Sequence, residues 1–331
     1  MPLHDSSYKH WEGIHEGIWQ RRAVIAGQGL KSCLQSKFMR NLVVLCWVMA
    51  LLMGTILFFL GQLLVADSFV GEAVRQFNPR LQLFFETLVK WLEQNPQVSV
   101  GTTQNLLFYF FATHLKTLSL IAIAVAIPHL ITRDLSSNAI IIYSSKAIGR
   151  FDYLLGKFGA VFGLLTLTWL GPLAAAWLLG NLLAPDWRFF WHARVALGHT
   201  LLFVVSSMVV LSLLALAVSA ISSKEKWAVI AWVAIWLMTQ AFIPISRQTK
   251  PWLKHASFVF DFDQLSLAIF RLKDDLALAR DHIPVLGQLL RGFERRNVWI
   301  FQDVEIGGAL LALGIMVGVA VVILYRRVKP E

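Results

Sequence analysis

Six stretches of the chain stay apolar for about the length that crosses a bilayer, and polar residues return between them. They cover 41–66, 106–131, 154–183, 195–221, 227–245 and 306–325. Roughly 20 apolar residues in helical form span the hydrocarbon layer, where no water satisfies backbone N–H and C=O groups. The pattern predicts an all-α integral membrane protein with six transmembrane helices. The first run is too long, and too far into the chain, for a cleavable signal peptide. No separate soluble domain, repeat or low-complexity stretch stands out.

The segments between the runs have helical spacing of their own. Over 8–40, Trp11, Ile14, Trp19, Val24, Ile25, Leu30, Leu34 and Phe38 alternate with charged and polar residues. This predicts an amphipathic helix in the headgroup plane, apolar side down and Lys or Arg outward. Segment 67–105 places Leu81, Phe84, Phe85, Leu88 and Leu92 at helical intervals. Segment 246–304 does the same from Leu265 to Leu278 and, after Pro284, from Leu286 to Phe293. Both read as short helices, since a flexible linker would be richer in Gly and Ser. The chain divides into an N-terminal segment 1–40, a six-helix domain 41–325 and a tail 326–331.

Composition narrows the class. Hydrophobic residues make up 57% and charged residues 15%, against about 25% charged in soluble domains. That excludes a soluble globular fold and intrinsic disorder. Thirteen Trp and 23 Phe suit wide interfacial belts. Cys33 and Cys46 offer neither a disulfide framework nor a metal cluster. A net charge of +10 could suggest nucleic acid, but this apolar content makes membrane lipid the more economical partner.

With the N-terminus inside, Lys and Arg divide evenly, 15 to a side. Nine of the outer ones lie in the long segment 246–304, where the positive-inside rule loses force. The short loops and tail on the inner side are all basic. Both termini are therefore assigned to the cytoplasm of a bacterial inner membrane, although Arg247, Lys250 and Lys254 sit close to a span on the other side and oppose the assignment.

Catalytic constellations are missing. No Gly-x-x-x-x-Gly-Lys-Ser/Thr loop is present, and Gly156-Lys157 is followed by Phe158. His15-Glu16 has no second His at zinc-protease spacing, and no Gly-x-Ser-x-Gly elbow occurs. The chain reads as no enzyme, with no cofactor or metal of its own. His114, Lys116 and His199 lie in apolar runs, where an ionisable group is a functional candidate. One reading makes Lys116 a snorkelling residue one turn inside the outer surface, below an aromatic belt of Phe108 to Phe111. The other lines a translocation path with His114, Lys116 and His199. Gln240 reads as a helix–helix hydrogen-bond donor. Gly159-x-x-x-Gly163 and Gly314-x-x-x-Gly318 allow close helix approach, either within the chain or at a dimer seam.

The connection between the second and third runs is the most informative. Asp134 or Ser136 could cap a short helix. Ala139 to Tyr143 is apolar but too short to span. Ser144 to Gly149 reads as a turn, and Asp152 could cap the third span, with Tyr153 at the interface. A short amphipathic element clamped between two spans can transmit movement.

Asp134, Leu135, Ser136, Tyr143, Ser145, Lys146, Arg150, Asp152, Tyr153, Gly156 and Lys157 resemble the corresponding loop of type-2 ABC exporter permeases. Ala147 stands where the family usually has Pro. Ala220-Ile-Ser-Ser-Lys-Glu-Lys-Trp227 and the opening His4-Asp5-x-x-Tyr8-x-x-Trp11-x-Gly13 also resemble that family, the latter an uncharacterised bacterial subgroup. The resemblance implies a permease pairing with a second copy, identical or related, with each half docking on a separate ATPase that binds ATP and Mg. The loop would be a coupling helix, with Asp134, Tyr143, Ser145, Lys146, Arg150, Asp152 and Tyr153 contacting the ATPase. Lys146 and Arg150 could equally be positive-inside anchors. Tyr8 and Trp11 could pack on the ATPase or sit among headgroups.

The leading expectation is a permease exporting a hydrophobic, lipidic or peptidic substrate. A rival is a mechanical transmitter, in which the ATPase drives work on a periplasmic or surface protein through the outer segments. A third, an intramembrane enzyme using His114, Lys116 or His199, rests on isolated residues.

Overall fold

The computed structural model describes residues 17–63, 96–137, 149–184, 187–282 and 303–328, and every regular element among them is helical. Six helical stretches are long and apolar enough to cross a membrane: Lys37–Gln62, Val100–Ser136, Arg150–Leu182, Phe189–Ile221, Glu225–Ser246 and Ile306–Arg327. Each of the six apolar runs of the sequence overlaps one of these spans, and residues 64–66 of the first run lie outside the described residues.

The spans are built from α2 (Lys37–Leu63), α3 (Pro96–Ala126) with α4 (Ile131–Ser136), α5 (Arg150–Leu165) with α6 (Gly171–Leu182), α7 (Trp187–Ile221), α8 (Glu225–Gln240) with α9 (Phe242–Gln248), and α12 (Ile306–Arg327). Before them lies α1 (Ile18–Leu34), and between spans five and six lie α10 (Phe258–Phe270) and α11 (Leu272–His282). At 35 residues, α7 is about 52 Å long, so it overruns a hydrocarbon layer of about 30 Å. Its first turns, from Trp187, precede the apolar run at 195.

Two spans are interrupted for local reasons. Pro128 has no N–H to give the preceding turn, and α3 tightens into a 3-10 turn at Ile127–His129 before α4 begins. In span three, a wider π turn at Thr166–Leu170 precedes Gly171-Pro172. That turn lets the Leu167 carbonyl accept the Trp47 indole N–H at 3.1 Å.

Spans two, three and four are half or more buried, whereas five and six show most of their surface. Lipid is as apolar as the side chains, so close packing and buried hydrogen bonds must hold the helices together. Small residues let backbones approach: a Cβ on Gly29 would stand 2.7 Å from the Ala160 Cβ, and one on Gly180 would stand 2.6 Å from the Leu57 Cβ. Buried indoles tie neighbouring helices, Trp169 donating to the Ala112 carbonyl at 2.9 Å and Trp232 to that of Leu120 at 3.1 Å. Val44, Leu51, Ile230, Leu237, Leu311, Ile315 and Val319 remain exposed. An apolar surface of this extent suits lipid and not water.

Residue 17 and residue 328, the outermost described positions, end on one face, called here the terminal face. There α1 lies along the start of α5, and Arg150 Nη2 donates to the Leu324 carbonyl near the end of α12 at 3.1 Å. The opposite face carries α10 and α11. The amphipathic α1 does not rest its whole apolar side on headgroups. Ile25, Ala26 and Gly29 pack on Gly156, Gly159 and Ala160 of span three, while Ile18, Trp19 and Val24 stay exposed. Gly159 and Gly163 thus meet Ala26 and Leu30 of the same chain, whereas Gly314 and Gly318 have open space beside them. The apolar stretch from Leu265 is two helices, parted at Arg271, whose φ of 48° is left-handed. The stretches Leu81–Leu92 and Leu286–Phe293 lie outside the described residues.

Candidate functional site

On the terminal face, the short helix α4 is fastened to both neighbouring core spans. Asp134 accepts from the Tyr153 hydroxyl and the Lys157 ammonium, each at 2.7 Å, so α4 is held to span three. Lys157 Nζ also donates to the Leu130 carbonyl at 2.8 Å. Ser219 of span four occupies the break left by Pro128. Its hydroxyl accepts from the Ile131 and Thr132 N–H groups at 2.9 and 3.0 Å and donates to the Ile127 carbonyl at 3.0 Å. Thr132 Oγ1 returns a bond to the Ser219 carbonyl at 2.7 Å. A helix break at this depth would otherwise leave bare backbone groups, each costly in a low-dielectric interior.

The caps differ from those the sequence suggests. Leu130 precedes α4, and Asp134 and Ser136 lie within it. Asp134 is drawn to Lys157 and Tyr153, and Ser136 Oγ donates to the Arg133 carbonyl at 2.8 Å. Gly149 precedes α5, and Asp152 sits in its first turn, where a carboxylate suits the helix dipole. Asp152 Oδ1 takes Arg22 Nη2 at 2.5 Å and Nε at 2.8 Å, binding α1 to span three. Tyr153 is buried. Arg150 stacks over the Tyr325 ring at 4.6 Å as well as reaching Leu324. Tyr8, Trp11, Tyr143, Ser145 and Lys146 lie outside the described residues.

Arg22, Thr132 and Ser219 belong to this cluster but carried no signal of it in the sequence. Arg22 lies 130 positions from Asp152. Lys157 carried a partial signal, being a charge inside an apolar run four residues from Tyr153. Cys33, on α1, is buried, and burial pushes its thiol up to about 11 against the opposing charge of Lys157. Its burial suits a packing residue whose thiol reacts only when α1 opens.

On the opposite face, Lys116 neither snorkels freely nor stands alone. It is buried and ion-paired to Asp263 of α10. His199 Nδ1 lies 3.0 Å from Asn105 Oδ1, and Asn105 Nδ2 donates to Asp275 of α11 at 2.6 Å. Burial raises the Asp275 carboxyl above its usual value, against the Asn105 bond. Lys116 and His199 thus both serve the seam where α10 and α11 meet the spans. His114 is separate: it is exposed, with Nδ1 2.8 Å from its own Phe110 carbonyl and its ring against that of Phe110. The three residues do not converge on one point. Gln240 closes α8, half-buried.

Among the described residues, no group of three or more His, Cys, Asp or Glu is placed to hold a metal ion. The fold and these joints define an all-α, multi-pass membrane protein whose polar interior serves to fasten helices. No protein-family model matches the chain, and no curated protein matches it.

Proposed function

We propose that this chain is the permease subunit of an ATP-driven exporter of the type-2 ABC kind, moved by a separate ATPase that docks on the terminal face. The observation that carries the reading is the grip of Tyr153 and Lys157 on Asp134, at the edge of the loop whose residues resemble that family's coupling element. A push on that loop enters span two through α4, span three through Asp134 and span four through Ser219. Arg22 draws α1 along, and Arg150 reaches span six. Residues 138–148, with Tyr143, Ser145 and Lys146, supply the ATPase contact together with Arg150, and Tyr8 and Trp11 are further candidates for it. ATP and Mg belong to the partner.

In this reading the terminal face is the cytoplasmic side of a bacterial inner membrane, and a second permease copy completes the transporter. Few charges face the core of the spans, which suits a hydrophobic, lipidic or peptidic substrate.

A second reading is favoured by the anchoring of α10 and α11 through Lys116–Asp263 and Asn105–Asp275. Outer helices fixed to the spans in this way could pass ATPase-driven movement to a periplasmic or surface protein.

The test is purification from native membranes in mild detergent, with mass spectrometry of what accompanies the chain. An ABC ATPase at about one copy per chain, lost in Arg150→Glu, supports the permease. A further periplasmic or surface protein moves the conclusion to the transmitter. Recovery of the chain alone in several detergents at low salt rejects both.

A further inference from the structure

His255 stands between two carboxylates at the joint between the outer helices and span six. Its Nδ1 lies 2.6 Å from Asp261 Oδ1 on α10, and its Nε2 lies 3.4 Å from Glu305 Oε2, one residue before α12. The ring rests on Gly308: a Cβ there would fall 2.5 Å from Nε2. Its other side meets Phe260 edge-on. Asp261 is wholly buried, and its second oxygen, Oδ2, has no hydrogen-bond partner among the described residues. Glu305 is held besides by Lys254 at 2.7 Å, and its backbone N–H donates to Gln264 Oε1 at 2.9 Å.

This arrangement is short of protons when the imidazole is neutral. A neutral ring donates from one nitrogen only, so one carboxylate would face a lone pair; the imidazolium donates to both. The orphaned Oδ2 adds the cost of a buried charge without a donor, which a proton on Asp261 removes. We propose that His255, Asp261 and Glu305 form a proton-binding lock fastening α10 to the start of span six, so that proton uptake tightens the joint and proton loss loosens it. Among the described residues, the other charged group at the cluster is Lys254, from the turn Pro251–Ala256. Asp263, two residues beyond Asp261, is paired with Lys116 of α3. Span five meets this part of α10 with Trp232, against Phe258. The lock lies outside the six spans and does not depend on the ATPase, so its failure would leave the proposed function standing.

The direction follows from linkage. Burial raises the Asp261 carboxyl from 3.8 to about 6. A group whose value is raised on docking stabilises the docked form below its free value, and that stabilisation is lost as pH rises through the docked value. With 3.8 for the exposed carboxyl and about 6 for the docked one, opening of the joint increases about tenfold between pH 5 and pH 7.

The experiment is hydrogen–deuterium exchange of the full chain in detergent at pH 5, 6 and 7, with intrinsic exchange rates divided out. Peptides covering 258–270 should lose about tenfold in protection, while those from the core of α3 and α7 hold theirs. Asp261→Asn, which mimics the protonated acid, should abolish the slope. Flat protection in the unmodified chain overturns the lock, as does a slope shared equally by the core helices or retained in Asp261→Asn. The measurement on the unmodified chain decides the matter even if the variant does not fold.

Discussion

Lys157 of span three reaches Asp134 of α4 at 2.7 Å, with both side chains largely out of contact with solvent. This pair fastens the end of span two to the start of span three. Removing one member of a buried pair strands the other charge and costs about 3–5 kcal/mol, whereas removing both can be nearly neutral. Lys157→Met alone should therefore lower stability by about 3 kcal/mol. Adding Asp134→Asn should recover much of that loss, though not the Leu130 contact. Thermal melts of the purified chain in detergent, followed by loss of the monodisperse peak, give both values. Additive losses would show that the pair does not interact.

Gly156 makes a second joint on the same face. A Cβ there would stand 2.7 Å from the Ile25 Cβ and 3.3 Å from the Arg22 carbonyl, neither of them the tip of a flexible chain. Gly156→Val should push α1 away from span three. Overpacking costs about 1–3 kcal/mol, and the lower figure already shifts an opening equilibrium about fivefold. Cys33, on the buried side of α1, reports it: maleimide labelling should accelerate by at least about fivefold, with buried Cys46 as the internal control. Gly163→Ala, whose Cβ would meet Leu30 at an ordinary 3.6 Å, should leave labelling unchanged.

Lys116 and Asp263 are unequal partners. The Lys116 side chain is 4% exposed and that of Asp263 46%. Asp263→Ala leaves an ammonium buried inside a span, while Lys116→Met leaves a carboxylate that water can reach. The first should cost about 3 kcal/mol and the second within about 1 kcal/mol. Denaturant titration of the two variants and their double mutant measures the difference. Equal losses would mean that Asp263 is as dry as its partner.

The parts of this fold that were legible in the sequence are those where one residue's neighbours decide its state. Long apolar runs leave the backbone one economical choice, so all six spans could be read. Their ends could not: α7 starts at Trp187 because Phe189 and Phe190 continue the helix past Arg194, which rests on the Trp191 ring at 3.6 Å. Asp134 stood out as a residue, but its partner did not, because a cap and an ion pair across 23 positions look alike until the helices are placed. Amphipathicity revealed α1 but not which surface takes its apolar side. The Gly156 and Gly159 notches decide that, and they acquire meaning only beside Ile25 and Ala26. Lys116 read as a lone charge because Asp263 lies 147 positions away.

Glu305 sets an acid limit on the opposite face. The Lys254 hydrogen bond holds its carboxyl below the ordinary 4.5, with burial opposing. A depressed carboxylate stabilises the fold above its free value, and that stabilisation is lost as pH falls through the lowered one. Glu305 is half exposed, so after screening the effect should stay within about 1 kcal/mol. Melting temperatures of the full chain should fall below about pH 4.5. Lys254→Gln should soften that fall, and 1 M NaCl, with a Debye length of about 3 Å, should weaken it. Because Asp261 acts in the other direction as pH rises, Asp261→Asn should leave the acid fall in place while removing the loss above pH 5. An acid fall identical in Lys254→Gln would mean that Glu305 owes its low value to something other than Lys254.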